Sequence, residues 1–193
     1  LPIGEKVMVK AFSFLNRLKE YGYDEIGVSI NISAIQLLNP DFTSRLFTLI
    51  NEMQVNPKNV GIEITESIFV SDFEYINNII GTLKDAGLHI AIDDFGTGYS
   101  SLARERELKV NCVKIDKHFI DKLLYTDPKK TITSDIISIT HKLGHYAIAE
   151  GVENEIQLEY LKEHGCDQVQ GYLISKPLAE EEAIEFLKRR TSP

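Results

Sequence analysis

The run Ile90–Leu102, IAIDDFGTGYSSL, carries the densest chemistry in the chain. An apolar segment leads straight into two adjacent carboxylates, Asp93 and Asp94, and then into a loop hinged at Gly96 and Gly98. Two acids at a strand end repel each other and lose hydration unless a cation lies between them. Glycines give the following loop backbone conformations closed to other residues. A strand, an acid pair and a flexible loop of Phe95, Gly96, Thr97 and Gly98 together make the edge of a metal site. Other polar residues stand in comparable places. Asn31 closes VSIN, Glu63 lies in GIEIT, Lys114 in VKID, Glu150 closes AIAE, and Gln170 precedes Gly171.

These residues need elements to position them, and the sequence alternates two kinds. Short apolar, β-branched runs predict strands over Ile26–Ser33, Val60–Thr65, Leu88–Asp93, Asn111–Ile115, Tyr146–Glu150 and Asp167–Tyr172. Segments of helical period separate them, with one stripe through Phe42, Leu46, Leu49, Ile50 and Met53 and another through Ile76, Ile79, Ile80 and Leu83. A further helix is expected over Pro2–Tyr21. Ser71 with Glu74 reads as a capping box opening the second stripe, and Gly87, Gly144 and Gly165 fall where helices should stop.

Alternation of strand and helix predicts a parallel sheet with helices outside it. An open doubly wound sheet and a barrel both satisfy the pattern. The polar residues at successive strand ends favour the barrel, where they converge on one mouth. In VSINIS, Ser29, Asn31 and Ser33 face one side and Val28, Ile30 and Ile32 the other; Ile62 and Ile64 flank Glu63 in the same way. The expected class is α/β, a TIM-like (β/α) barrel. It is incomplete, with about six strands present where such a barrel has eight, and the first two are expected to be missing. Residues 1–193 are expected to form a single domain.

The chain has 193 residues, 43% of them hydrophobic, enough for a domain with a substantial core. A net charge of −8 argues against binding a nucleic-acid duplex or an anionic membrane surface. Cys112 and Cys166 show no metal-ligand spacing and suggest buried thiols in a reducing compartment. No apolar run approaches the roughly 18 residues of a membrane span, so the expected location is cytoplasmic, with a membrane-anchored parent still open.

Six segments in order give the chain its resemblance: NISA at Asn31–Ala34, EITES at Glu63–Ser67, DDFGTGYSS at Asp93–Ser101, VKID at Val113–Asp116, AEGVE at Ala149–Glu153 and QGYLISKPL at Gln170–Leu178. Together they resemble the EAL domain family, phosphodiesterases that hydrolyse the bacterial second messenger cyclic di-GMP to linear pGpG. The resemblance implies that Asn31, Glu63 and Asp93 ligate one divalent metal, and that Asp93 bridges to a second held by Asp94 and assisted by Glu150. It places Lys114 near the attacked phosphate or its water, Gln170 in the water network, and Glu66 in support of the loop after Asp94. The implied metals are Mg²⁺ or Mn²⁺, two per complete site, and an upstream sensory or GGDEF-type domain is typical. Phosphodiester hydrolysis needs a hydroxide near neutral pH and charge stabilisation on the phosphoryl oxygens, which two metals can supply.

The chain departs from the family in two respects. No Glu-Ala-Leu run or following arginine occurs in it, and Leu1–Glu5 resembles the start of the family's next helix. This implies a C-terminal portion of a domain, weakly active or inactive by itself although the parent is an enzyme. In Leu102–Val110, LARERELKV, four consecutive charged residues read as a solvated face, which puts the family's usual homodimer contact in doubt. The competing reading is a non-catalytic receptor for cyclic di-GMP or for a protein. A sugar-phosphate aldolase or a phosphotriesterase would need a Schiff-base lysine or histidine ligands, and the five histidines show no HxH or HExxH spacing.

Overall fold

Each predicted strand forms, and each lies beside its neighbour in the chain. The structure, a computed structural model, describes residues 3–66, 68, 72–96, 106–125 and 131–191. The strands are β1 (Val28–Asn31), β2 (Val60–Thr65), β3 (His89–Phe95), β4 (Cys112–Ile115), β5 (Tyr146–Glu150) and β6 (Gln168–Gln170). All pair in parallel in the order β1-β2-β3-β4-β5-β6. The sheet curls into a half-barrel with β1 and β6 at its edges.

Among the described residues, eight α-helices accompany it: α1 (Ile3–Glu20), α2 (Ala34–Leu37), α3 (Phe42–Glu52), α4 (Phe73–Asp85), α5 (Lys117–Lys122), α6 (Thr133–Lys142), α7 (Glu155–Glu163) and α8 (Glu180–Thr191). Their stripes are the expected ones. Phe42, Leu46 and Ile50 are buried on α3, and Ile76, Ile80 and Leu83 on α4. Helix α1 buries Met8, Phe12, Leu15 and Leu18 at three- and four-residue steps. The sheet meets the helices through Ile62, Ile64, Ile90, Ile92, Val113, Ile115, Ala147 and Ala149, all buried. Alternation then turns Asn31, Glu63 and Lys114 to the opposite face.

Three details differ from the sequence expectation. The outer strands are shorter than predicted, β1 spanning Val28–Asn31 and β6 Gln168–Gln170. Strand β3 runs two residues further, so Phe95 ends the strand, buried and paired with Ile115, instead of opening the loop. Helix α4 is capped by Asp72, whose carboxylate accepts from Tyr75 N at 3.1 Å, in place of the expected Ser71–Glu74 box. Ser71, Thr97, Gly98 and residues 102–105 of the charged run lie outside the described residues.

The rest of the charged run is fastened. Asn77 Nδ2 on α4 donates to Glu107 O at 2.8 Å, and its Oδ1 accepts from Lys109 N at 2.9 Å. Arg106 and Glu107 are exposed and Leu108 is buried, as a solvated face requires. Gly87, Gly144 and Gly165 follow their helices at φ 98°, 86° and 74°, the left-handed turn that ends a helix most cheaply with glycine.

Candidate metal centre

In a regular strand Asp93 and Asp94 would point to opposite faces of the sheet. Here the β3–β4 register shifts between Ile92 and Phe95, and Asp94 takes φ 56°, in the left-handed region. A bulge of this kind re-aims a side chain. The left-handed conformation costs an acid about 1 kcal/mol, and strain of this order concentrates where geometry serves a site. As a result, oxygens of Asp93, Asp94 and Glu150 all lie within 4.8 Å of one another. Asp94 N also donates to Asp93 Oδ1 at 3.2 Å.

Lys114 sits at the centre of the acids. Its Nζ lies 2.6 Å from Glu150 Oε1, 2.7 Å from Glu63 Oε2 and 3.2 Å from Asp93 Oδ1, with 4% of the side chain exposed. An ammonium has three N–H donors, and here each has a carboxylate. Three strands supply these partners: β2, β3 and β5. The half-buried charge on Glu63, costly in mid-strand, is thereby compensated.

These neighbours move protonation equilibria. Burial alone would lower the Lys114 pKa, but the hydrogen bonds to Glu150 and Glu63 carry it above the ordinary lysine value. The Glu150 carboxyl is pushed up by burial, with Asp93 and Glu63 adding and Lys114 opposing. Asp94 is also raised, by burial, by Asp93 and by Asp116. Asp116, which caps α5 by accepting from His118 N at 2.8 Å, is thus a further acid whose charge bears on Asp94. The sequence reading assigned Asp116 no role, although it lies two residues beyond Lys114 and so shares its face of the strand direction.

Around this cluster the backbone is pinned. Glu66, 6% exposed just beyond β2, accepts from Gly96 N at 3.1 Å, and Gly96 has φ 93°. At the rim, Lys117 Nζ pairs with Glu153 at 2.8 Å and Asp121 at 3.0 Å. Val152 N donates to Gln170 O at 3.0 Å, and a side chain at Gly171 would run into the Val152 backbone. That close approach couples the exit of β5 to the exit of β6.

Six of the predicted site residues therefore come together at once: Glu63, Asp93, Asp94, Lys114 and Glu150 in the cluster, and Glu66 behind it. Asn31 lies beside Glu63 in the β1–β2 register, and Gln170 beside Glu150 in the β5–β6 register. Both are exposed. The donor set is carboxylate and amide oxygen, suited to hard cations such as Mg²⁺ or Mn²⁺. Asp93, Asp94 and Glu150 already sit close enough to share one ion, so the residues fit a divalent metal.

A half-barrel of parallel strands with an acid cluster at their carboxyl ends places the chain in the (β/α) barrel class, with a group of acids that could hold a metal ion. The sequence profile of the EAL domain matches residues 1–177, and the chain belongs to the EAL domain family. Among curated relatives, it is 35% identical over 192 residues to the signaling protein YkoW of Bacillus subtilis, covering 100% of this chain and 24% of that protein. It is 38% identical over 162 residues to the probable cyclic di-GMP phosphodiesterase PdeB of Escherichia coli, covering 84% of this chain and 30% of that protein. The chain thus spans less than a third of the length of these relatives. Among solved structures, the EAL domain of Mycobacterium smegmatis DcpA superposes with a TM-score of 0.91 at 33% identity, covering 100% of this chain and 86% of that one. The phosphodiesterase MucR of Pseudomonas aeruginosa, in complex with c-di-GMP, gives 0.88 at 32% identity over 94% and 73% of the two chains. Klebsiella pneumoniae BlrP1, in a manganese and c-di-GMP complex, gives 0.79 at 26% identity over 92% and 45%. A further relative, 30% identical over 162 residues and covering 84% of this chain and 28% of that protein, is the cyclic di-GMP phosphodiesterase PA2567 of Pseudomonas aeruginosa. No helix among the described residues is long and apolar enough to cross a membrane.

Proposed function

We propose that the domain to which this chain belongs hydrolyses cyclic di-GMP to linear pGpG at the acid cluster, with two divalent metals. The observation that carries the reading is the convergence of Asp93, Asp94 and Glu150 within 4.8 Å, beside the Lys114 ammonium, in a chain of the EAL family. Asn31, Glu63 and Asp93 would hold one Mg²⁺ or Mn²⁺, and Asp93, Asp94 and Glu150 the other. When bound, such ions lower the pKa of water and neutralise charge on the phosphate.

The chain's own residues do the rest. The bulge at Asp93–Asp94 aims two carboxylates into one mouth in advance, so no reorganisation is needed when ligand arrives. Lys114 supplies a fixed positive charge beside the phosphate. Gln170, across the register from Glu150, orders water at the far rim. Glu66 holds the Gly96 turn, and through it the position of Asp94. Glu-Ala-Leu does not occur in this sequence, so the chain by itself is expected to turn over slowly or not at all. An upstream sensory or GGDEF-type domain and a cytoplasmic location complete the proposal.

The test is calorimetric titration of cyclic di-GMP into the chain with and without Mg²⁺ or Mn²⁺, followed by chromatography for pGpG. Metal-dependent binding with slow product formation supports the reading. Metal-dependent binding without product also fits a chain that lacks the Glu-Ala-Leu run; binding that is the same with and without metal favours the receptor alternative, and no binding in any metal overturns both.

A further inference from the structure

Three carboxylates, those of Glu63, Asp93 and Glu150, surround one ammonium in this mouth, and a fourth, Asp94, lies within 4.8 Å of two of them. The Lys114 side chain is 4% exposed, and its three contacts of 2.6, 2.7 and 3.2 Å are those of a cation held in a cage of oxygen atoms. Two of the three carboxylates it holds, on Asp93 and Glu150, also belong to the trio able to share a metal ion. Internal ammonium and incoming ion therefore call on the same two residues. Without either cation the clustered, partly buried acids would repel one another and push the strand ends apart.

We propose that Lys114 is a built-in counter-cation, holding Glu63, Asp93 and Glu150 in place before metal arrives, and that a divalent ion must compete with its ammonium for Asp93 and Glu150. The proposal rests on the metal reading given above and adds to it a second role for the lysine. The site is assembled in the metal-free protein because the ammonium offsets part of its negative charge and hydrogen-bonds three of its carboxylates. The same ammonium weakens the metal, since its charge repels the ion and its hydrogen bonds occupy carboxylate oxygens. Lys114 thus sets the metal concentration at which the site fills, apart from anything it does to substrate.

Lys114→Met keeps most of the length of the side chain and removes the charge. Mn²⁺ binding to the full chain, read by electron paramagnetic resonance of the free ion, should be at least about tenfold tighter in the variant, given the size of charge interactions at contact distance. The variant should also melt lower than the wild type in EDTA and gain more from saturating Mn²⁺. Mn²⁺ binding by the folded variant that is equal to or weaker than wild type overturns the proposal and leaves the metal reading standing. Absence of Mn²⁺ binding in both proteins overturns both readings, whereas binding by the variant alone supports the competition. If the methionine variant fails to fold even with Mn²⁺, Lys114→Gln is read by the same criterion. The wild type gives a check that needs no variant: acylation of Lys114 by an amine reagent, followed by mass spectrometry, should be slow in EDTA and faster at saturating Mn²⁺. A rate that saturating Mn²⁺ leaves unchanged overturns the proposal.

Discussion

Glu66 and Gly96 are thirty residues apart, and the carboxylate of the first accepts the backbone N–H of the second at 3.1 Å. This contact fastens the turn that follows the acid pair to the end of β2. It lies behind the acid cluster, so its loss should be felt through geometry and not through charge at the phosphate. Glu66→Ala should lower stability by about 2 kcal/mol, the value of a buried hydrogen bond to a charged group. It should also lower cyclic di-GMP hydrolysis by the complete domain at least about tenfold, since misplacement by a fraction of an ångström is costly in catalysis. Glu66→Gln keeps an acceptor oxygen and should lose much less. Thermal melts and product chromatography on the two variants separate these outcomes.

Asp94 offers a cleaner separation of charge from backbone. Glycine takes its φ of 56° without strain, so Asp94→Gly should leave stability within about 1 kcal/mol of wild type, the strain relieved offsetting the extra freedom of the unfolded chain. It should nevertheless weaken Mn²⁺ binding at least about tenfold, because a ligand oxygen is gone. Asp94→Ala should bind equally poorly and also be less stable than the glycine variant. Melting in EDTA and Mn²⁺ titration together check the order.

Gly171 tests the coupling between the exits of β5 and β6. A methyl group there meets the Val152 backbone, which cannot rotate out of the way. Gly171→Ala should cost about 2 kcal/mol by overpacking. It should also perturb amide resonances at Val152 and Gln170, because the Val152 N–H bonds Gln170 O. Nuclear magnetic resonance spectra of the two proteins check it.

Asp167 carries a pH dependence distinct from that of the mouth. Burial works to raise its pKa, but hydrogen bonds from Ala147 N at 2.7 Å and His141 Nε2 at 2.8 Å hold it below the ordinary value. A carboxylate with a lowered folded-state pKa stabilises the protein above its unfolded value and loses that contribution as the pH falls through the folded one. The wild type should therefore lose stability relative to Asp167→Asn as the pH drops below about 4. Melting curves of both proteins between neutral and acid pH check the convergence.

Much of this architecture is readable from the chain. Strands β2 and β5 fall on the residues predicted, because VGIEIT and YAIAE combine β-branched or small apolar positions with clear turn signals on both sides. The polar residue at each strand end was visible too, and the site gathers where those residues point. The conformation of Asp93–Asp94 was not visible. A bulge depends on the pairing between β3 and β4, which no local pattern in IAIDDF encodes, so Phe95 was assigned to the loop when it belongs to the strand. The three-carboxylate cage of Lys114 was hidden for a related reason: it joins side chains from four strands, and each alone has an ordinary surface explanation. Asp116 is not legible in VKID, because its charge bears on Asp94 only through the way β3 ends.

The strand order has one more consequence, for synthesis. Since β1 to β6 pair strictly in the sequence in which they are made, each strand from β2 onward leaves the ribosome with a partner already present. The sheet can therefore be laid down one βα unit at a time, without waiting for a distant segment. Glu63, Asp93 and Lys114 are in place before the strand bearing Glu150 emerges. The last acid joins a nearly finished nest, and the mouth closes as a late event in the birth of the chain.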